Sequence, residues 1–311
     1  TTGDDGSKIY NYQGNWRDFF QNWEALSASF SGFLASIVAK FVNASTVDGF
    51  NPYRLTRAGI DWEIPDPGDP WSNIGYWGDH QIIYLAKLLE SLHDYFPGEL
   101  SQLFSEQIFC YANVPYRIKP YQEIVADSSE TIEYDQFTAE QIDRRVGAIG
   151  ADGKLVVDGQ GDVYHANLVE KLLVPVLAKL SNFVPDGGIW LNTQRPEWND
   201  ANNALVGSGL SMVTVCYLRR HLDLLVELIK DFDNQRIAIT VEVEQWFRGV
   251  RHVLQQYPNL LHESEIRPSD RRKVIDALGA AFSEYRLKVY DDGFSGKHTV
   301  ASAELVEFFR L

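Results

Sequence analysis

The segment RPEWNDANNALVGSG, residues 195–209, carries two carboxylates, Glu197 and Asp200, on either side of Trp198. A tryptophan face can stack on the apolar face of a sugar and partly desolvate a nearby carboxyl group. Desolvation raises the pKa of a carboxylic acid, which a residue needs in order to protonate a leaving oxygen near neutral pH. This spacing favours Asp200 as a general acid on a glycosidic bond. The alternative is that Asp200 and Asn202 only cap the following helix.

Two further segments combine charged groups with aromatic rings. In NWRDFFQNWEAL, Arg17 and Asp18 are adjacent and are flanked by two tryptophans, so both could bind sugar hydroxyls. In WSNIGYWGDHQ, Asp79 and His80 stand where a loop rich in Trp and Gly meets a helix. Capping of a helix N-terminus by Asp18 or Asp79 explains either segment without any function.

Cleavage of a glycosidic bond needs an acid on the leaving oxygen and a nucleophile at the anomeric carbon. In an inverting hydrolase, a second carboxylate about 6.5–9.5 Å from the acid activates water. An inverting phosphorylase needs no such base, because phosphate is itself the nucleophile. The candidates for a second carboxylate are Asp61, Glu63 and Asp79, and the sequence does not rank them.

The composition limits the class of partner. The chain has 311 residues, a net charge of −15, and 8 Trp, 15 Tyr and 17 Phe. Such acidity disfavours nucleic acid and acidic membrane surfaces, and the aromatic residues suit either a large core or carbohydrate. The two cysteines form no disulfide framework or metal-binding spacing, and neither a secretory signal nor a membrane-spanning run is visible. We therefore predict a cytoplasmic protein.

Helical segments must position these groups. Apolar residues recur at helical spacing in segments 22–41, 79–96, 165–183, 202–232, 234–257 and 269–290. In the first of them, Phe30, Phe33, Ile37 and Phe41 are predicted to share one face. Between the helices lie two long loops rich in Gly, Pro and Trp, residues 45–78 and 184–200. This pattern predicts one all-α domain over residues 1–311, with stacked helical hairpins, long loops on one face, and a polar insertion or lid at about 123–162.

Taken together and in order, these segments resemble glycoside hydrolase family 94, which includes cellobiose and chitobiose phosphorylases and the phosphorylase-like part of cyclic β-1,2-glucan synthases. WRDFFQNWEAL is similar to the family's R-D-x-x-Q-D through Arg17, Asp18 and Gln21. Asp48 begins a DG before a Trp-rich loop, and WGDHQIIYL matches an Asp-His pair that opens a helix. EWNDANNALVG resembles the family's D-W-N-D-G-x-N followed by V-G. The resemblance covers residues from about 10 to 230.

The resemblance implies an (α/α)6 toroid, here possibly incomplete, and an enzyme that cleaves a β-linked di- or oligosaccharide with phosphate and inverts the anomeric centre. It implies that Asp200 is the general acid. No metal or organic cofactor is expected, because inorganic phosphate would be the co-substrate; the oligomeric state stays open. The residues predicted to bind substrate are Arg17, Asp18, Trp198, Glu197, Asp79 and His80.

The chain departs from the family pattern at several points. Glu197 stands in place of the usual Asp, Ala201 in place of the usual Gly, and the family's phosphate-binding residues are not found. One alternative is an inverting hydrolase on the same scaffold. Another is a non-catalytic fragment that binds glycan through Trp16, Trp77 and Trp198, or serves as a scaffold. A first residue other than Met and the ending LVEFFRL suggest a piece of a longer protein.

Overall fold

The computed structural model describes residues 6, 8, 13–52, 54–56, 59–62, 68, 76–77, 81–192, 207–230, 232, 235–257 and 266–311. Helices account for most of these residues. They are α1 (Trp16–Ser27), α2 (Leu34–Asn43), α3 (Gln81–Tyr95), α4 (Glu99–Leu103), α5 (Tyr121–Ala126), α6 (Gln136–Ile149), α7 (Leu168–Leu180), α8 (Met212–Lys230), α9 (Val241–Gln256), α10 (Pro268–Asp292) and α11 (Ser302–Phe309). Two short 3-10 helices lie at Ser31–Phe33 and Gly150–Lys154.

Short strands join the helices, so the predicted all-α fold class is wrong and the described residues form a mixed α/β structure. The strands are β1 (Gln13–Asn15), β2 (Asn51–Pro52), β3 (Arg54–Thr56), β4 (Gly59–Asp61), β5 (Tyr76–Trp77), β6 (Tyr116–Ile118), β7 (Ile132–Tyr134), β8 (Phe183–Val184), β9 (Gly188–Trp190), β10 (Leu210–Ser211), β11 (Arg236–Thr240) and β12 (Lys297–Ala301). Within the described residues they form small antiparallel sheets, ordered β1-β3-β4, β10-β9-β8, β11-β12, β2-β5 and β6-β7.

The strands were missed because most of them are only two or three residues long. An alternating apolar pattern needs about four residues before it differs from an irregular loop. Strand β11 is longer and was included in the predicted helix 234–257. Its alternation is visible in hindsight, since Ile237 and Ile239 are buried while Arg236 is exposed.

The predicted helix 22–41 is also wrong, because the chain turns in its middle. Helix α1 ends at Ser27, and α2 begins only at Leu34. Phe30 and Phe33 fall in the turn and are 60% and 65% exposed, whereas Phe41 is fully buried. The four residues therefore do not share one helical face, because only Ile37 and Phe41 lie in a helix of regular length, α2. By contrast, the apolar face of α3 is confirmed: Ile82, Leu85, Leu89 and Leu92 are all buried.

Helix α7 lies in the centre of the structure, and its residues from Leu168 to Lys179 are all buried. A helix surrounded by protein is normally apolar on every side, yet α7 carries Glu170 and Lys171 in its first turn. Charged groups that are buried need hydrogen-bond partners or opposite charges. The partners of these two side chains connect α7 to three other parts of the chain.

The Glu170 carboxylate accepts three hydrogen bonds. Tyr111 Oη and Thr240 Oγ1 donate to Oε1, each at 2.7 Å, and the Thr240 backbone N–H donates to Oε2 at 2.8 Å. Thr240 ends β11 and precedes α9, so Glu170 fixes the start of α9 against α7. The same carboxylate raises the pKa of Tyr111 further, beyond the larger effect of burial.

Lys171 connects α7 to the loop that follows α2. Its ammonium donates to the Ser45 carbonyl at 3.2 Å and lies 3.4 Å from the centre of the Tyr111 ring. Burial lowers the pKa of Lys171 to about 7, and the charges of Cys110 and Glu170 offset part of this effect. The loop is therefore held at its first residue by a side chain from the central helix.

Residues 123–162, predicted as a polar insertion or lid, contain most of α5, the hairpin strand β7, helix α6 and the 3-10 helix Gly150–Lys154. Ile124, Ile132 and Ile142 from this region are at most 4% exposed and belong to the main core. This region therefore packs on the rest of the protein through apolar residues beneath its polar surface.

Gly49 provides a test of how tightly the loop that follows α2 packs on α7. Its φ is +81°, and an added Cβ would lie 2.8 Å from Ala178 Cβ and 3.1 Å from the Val174 carbonyl oxygen. We expect Gly49→Ala to lower the free energy of unfolding by about 2–4 kcal/mol, because it combines left-handed strain with overpacking. Gly147→Ala is the matched control. Gly147 lies inside α6 with open space around it, so alanine should stabilise by about 0.5–1 kcal/mol.

Urea denaturation of both variants measures these changes. Equal or stabilising effects from the two substitutions would contradict the close packing of the loop against α7.

His221 gives the protein a specific sensitivity to acid. The ring is fully buried in α8, neither ring nitrogen has a hydrogen-bond partner in the described part of the chain, and burial lowers its pKa to about 3. Below pH 6.5 the unfolded chain binds a proton that the native ring does not. The contribution of the buried neutral ring to the free energy of unfolding is therefore complete above pH 6.5. As the pH falls from 6.5 towards 3, this contribution decreases by about 1.4 kcal/mol per pH unit.

His221→Leu should remove this slope, so that the stability difference between variant and wild type changes steadily from pH 6.5 to pH 4. His252→Leu, at an exposed position in α9, is the control. Chemical denaturation at several pH values measures the slope, and parallel curves for wild type and His221→Leu would refute this assignment.

Candidate functional site

The starts of helices α1 and α3 come together through the strands that precede them. Strand β1 leads directly into α1 and pairs with β3, so that Asn15 lies opposite Arg54. Strand β5, shortly before α3, pairs with β2, so that Asn51 lies opposite Trp77. Because β2 and β3 are separated by a single residue, segment 51–56 joins the two helix starts.

Helix α8 runs parallel to α3 and begins at the same end. Arg220 Nη2 of α8 binds Glu90 Oε2 of α3 at 2.6 Å, and the two residues lie at similar distances from the starts of their helices. Beyond the C-terminal ends of both helices, the rings of Phe104 and Phe232 are 5.1 Å apart. Phe104 follows α4 and Phe232 lies two residues beyond α8, so the two contacts fit parallel helices. The N-termini of α1, α3 and α8 therefore lie at one end of the molecule, which we call the motif end.

The motif end consists of described residues that precede or begin α1, α3 and α8, together with the strands that pair with them. These residues are 13–18, 51–52, 54–56, 59–62, 76–77, 81, 188–192 and 207–211. They flank or include each segment that the sequence analysis selected for possible sugar chemistry.

The described residues on either side of the acidic segment are fixed to each other. In β9 and β10, Trp190 lies opposite Leu210. Trp190 Nε1 donates to the Gly207 carbonyl at 2.6 Å, and the Leu191 N–H donates to the Gly209 carbonyl at 3.0 Å. The Asn192 amide, which is buried, donates to Asn182 Oδ1 at 2.6 Å. Residues 192 and 207 are therefore held near the start of α8 by hydrogen bonds.

The predicted site residues are only partly within the described chain. Asp18 lies in the first turn of α1 and is partly buried, and Arg17 precedes it in the same turn, where only its backbone is described. The predicted residues that lie outside the described residues are Glu197, Trp198, Asp200, Asp79 and His80. Their convergence on one saccharide therefore stays a prediction.

Asp48, matched to the family's DG, does not belong to the motif end. It is 1% exposed and accepts hydrogen bonds from the Thr46 hydroxyl and, at 2.6 Å, from Tyr290 Oη. Burial raises its pKa, and these two hydrogen bonds counteract that effect. Asp48 anchors the loop after α2 to the end of α10, while the Tyr285 hydroxyl donates to the Val47 carbonyl at 2.7 Å. Its role in the structure is to position Asn51, three residues further on.

Asp61, one of the candidate bases, is already paired with two cations. Arg54 Nη2 lies 3.4 Å and Lys154 Nζ 3.5 Å from its carboxylate oxygens. The Lys154 ammonium also donates to the Ile60 carbonyl at 2.8 Å and lies 5.1 Å from the centre of the Trp62 ring. These contacts join β4 to β3 and to the 3-10 helix Gly150–Lys154.

Two carboxamides at the motif end have unused hydrogen-bonding capacity, and sequence reasoning missed both of them. Gln81 is the first residue of α3 and is fully buried, and neither Oε1 nor Nε2 has a hydrogen-bond partner among the described residues. Asn51 is also fully buried and its Oδ1 has no partner there, while its Nδ2 makes a long 3.5 Å contact with the Phe41 carbonyl. Buried amides without partners are rare in proteins and call for an explanation.

A signal for these amides existed in the sequence. Gln81 directly follows Asp79 and His80, and Asn51 follows the DG pair after one intervening residue. A carboxamide can donate to one sugar hydroxyl and accept from the next. The position of Gln81 and Asn51 next to matched motifs is therefore the feature that could have identified them.

Comparison with known proteins does not assign the chain to a family. No protein-family model matches it, and no curated protein matches its sequence. In the part of the chain that the structure describes, no helix has the length and apolar character to cross a membrane. Within the same residues, no group of three or more His, Cys, Asp or Glu side chains is arranged to hold a metal ion.

Gln81 allows a test of whether the motif end is adapted for binding at the expense of stability. Gln81→Met should raise the free energy of unfolding by about 1–2 kcal/mol, because it replaces a buried amide without partners by an apolar group of similar size. Gln102→Met, on the exposed surface of α4, should change it by less than about 0.5 kcal/mol. Thermal and urea denaturation measure both effects. A clear loss of stability in Gln81→Met would mean that the amide is satisfied in the folded protein.

Proposed function

We propose that the protein is a carbohydrate-active enzyme that resembles inverting glycoside phosphorylases. Its substrate would be a β-linked di- or oligosaccharide, and phosphate would be the nucleophile. Asp200 would donate a proton to the glycosidic oxygen as the bond to the anomeric carbon breaks. A phosphate oxygen would attack that carbon from the opposite face, releasing a sugar 1-phosphate of inverted configuration and a shortened sugar.

The observation that supports this proposal most strongly is the common end of α1, α3 and α8. Residues far apart in the sequence, near positions 17, 79 and 200, each precede or begin one of these helices. The pairings of β1 with β3 and of β2 with β5 connect the described residues next to positions 17 and 79, and the pairing of β9 with β10 joins the two sides of the segment around position 200. An active site for a saccharide requires such convergence, because each ring needs several hydrogen bonds and an apolar face to stack on.

The buried amides give this end a second property suited to sugars. Gln81 and Asn51 can exchange hydrogen bonds with hydroxyl groups without adding charge. Asp18, in the first turn of α1, adds a carboxylate that can accept from two neighbouring hydroxyls. Neutral amides match the hydroxyl groups of a neutral sugar, which would have to displace the residues that now bury Gln81 and Asn51.

Hydrolysis on the same scaffold would need a second carboxylate to activate water. Of the three candidates, Asp61 lies within the described residues and forms ion pairs with Arg54 and Lys154. The other two candidates, Glu63 and Asp79, lie outside the described residues. Incubation of β-linked disaccharides with and without inorganic phosphate distinguishes the reactions, since only phosphorolysis yields a sugar 1-phosphate and requires the added anion.

Asp200→Asn should reduce cleavage of a β-linked disaccharide by about 10²- to 10⁴-fold, because a carboxamide cannot donate the proton. The loss should be much smaller for a dinitrophenyl glycoside, whose leaving group departs without protonation. Asp223→Asn, at an exposed position of α8, should retain full activity and serves as the control.

Rates with both substrates and circular dichroism of each variant complete the experiment. Near-normal disaccharide cleavage by Asp200→Asn would remove Asp200 from the role. Sugar binding without turnover in either wild type or variant would instead favour a non-catalytic glycan-binding domain.

A further inference from the structure

A polar cavity of about 220 Å³ lies between β6, α6, the loop Thr46–Asp48 and the C-terminal end of α10. None of the described motif-end residues lines this cavity. The two regions are neighbours, since Asp48 in the lining precedes Asn51 by three residues and Lys154, next to the cavity wall, binds Asp61.

Most charged groups around this cavity are neutralised by neighbours. Arg117 binds Asp135 at 2.8 Å and Asp291 at 3.1 Å. Asp135 also caps α6 by accepting from the Thr138 N–H at 3.1 Å. Asp48 accepts from Thr46 and Tyr290, as described above. These groups satisfy each other without a bound molecule.

Arg145 is different, because its charge has no counter-ion. Its Nε donates to the Gly153 carbonyl at 3.2 Å, but its Nη2 is buried and has no hydrogen-bond partner. Among the described residues, no carboxylate lies within ion-pair distance of the Arg145 guanidinium. Burial alone lowers the pKa of Arg145, and no neighbouring carboxylate counteracts it. A partly buried cation without a counter-ion is costly, and an anion in the cavity that Arg145 lines would offset this cost.

The surroundings of Arg145 are fixed and polar. Thr138, Gln141 and Arg145 occupy one face of α6 at spacings of three and four residues, and all three line the cavity. The 3-10 helix Gly150–Lys154 packs directly on the Arg145 backbone, since a Cβ added to Gly153 would lie 2.6 Å from the Arg145 carbonyl carbon. The guanidinium is therefore held by a rigid element and not by a loop that could turn towards solvent.

We propose that this cavity is a binding site for a small oxyanion, a carboxylate or a phosphate, held by the Arg145 guanidinium with Gln141 beside it. A guanidinium binds both anion types through its N–H donors, and the Gln141 amide can donate to a remaining oxygen, whereas the Thr138 hydroxyl already donates to Asp135 Oδ2 at 2.7 Å. The site does not depend on the proposed sugar chemistry, because none of the described motif-end residues lines the cavity.

Isothermal titration calorimetry with sodium malonate and, separately, with inorganic phosphate tests this site in chloride buffer of matched ionic strength. We expect at least one of these anions to bind the wild-type protein, and Arg145→Met to weaken that binding about 10- to 100-fold. Arg144→Met is the matched control: the neighbouring arginine is exposed and bonds within its own helix to the Glu140 carbonyl, so its loss should leave the affinity unchanged. Arg145→Lys, which keeps the charge but loses the two-pronged donor, should bind about 10-fold more weakly than wild type.

Two outcomes would overturn the site: no heat from either anion with the wild-type protein, or equal affinity in wild type and both Arg145 variants. If Arg145→Met does not fold, Arg145→Lys and Arg144→Met decide the question. Phosphate that binds at a catalytic centre would still bind to Arg145→Met, whereas anion binding in this cavity would be lost. Disaccharide cleavage should be the same in Arg145→Met and wild type, so a failure of the proposed enzymatic activity is recorded separately from a failure of this site.

Discussion

The structure depends on a central helix that is buried on all sides and yet carries two opposite charges. Glu170 binds Tyr111 and Thr240, and Lys171 binds Ser45, so α7 is joined to β11 and to the loop after α2 by polar contacts within an apolar core. Apolar packing alone would allow several rotations of a helix whose whole surface is hydrophobic. Hydrogen bonds in a medium of low dielectric constant are directional, and leaving them unmade is costly, so they select one orientation.

This orientation has consequences at the motif end. The loop held by Lys171 packs Gly49 against α7 and is fixed to α10 by Tyr285 and Tyr290. Asn51, immediately beyond that loop, starts the strand that pairs with β5 before α3. The C-terminal end of α7 leads through Asn182 and β8 to β9, which pairs with β10 before α8. Thus one buried helix determines where two of the three helix starts at the motif end lie.

The motif end and the cavity beside α6 differ in the kind of buried polar group that has no hydrogen-bond partner. The buried amides of Gln81 and Asn51 at the motif end are neutral, so they suit hydroxyl-rich ligands, and their removal from water costs a moderate free energy. Beside α6 the unused group is a guanidinium, which needs a counter-ion. The same physical rule, that buried polar atoms are normally paired, therefore predicts a neutral ligand in one place and an anion in the other.

How much of the site was predictable differs from residue to residue. Asp18 was selected from its neighbours in the sequence, and it does lie at the start of a helix at the motif end. Gln81 and Asn51 were not selected, because an amide is chemically unremarkable until its burial and lack of partners are known. Asp48 was selected through a motif, but the fold directs it to Tyr290, away from the motif end. Residue type shows what a side chain can do, and only its surroundings show whether it does so.

The sequence by itself determined the bodies of the helices, as in α3, whose apolar residues recur every three or four positions and face the core. It also determined which segments carry the groups suited to acid catalysis and sugar binding. Only the tertiary structure decided that α3 and α8 run parallel, that short strands join the helix starts, and that Phe30 and Phe33 face solvent. The physical reason is range: helical periodicity is a local property of consecutive residues, whereas helix direction, strand pairing and burial arise from contacts between residues far apart in the chain.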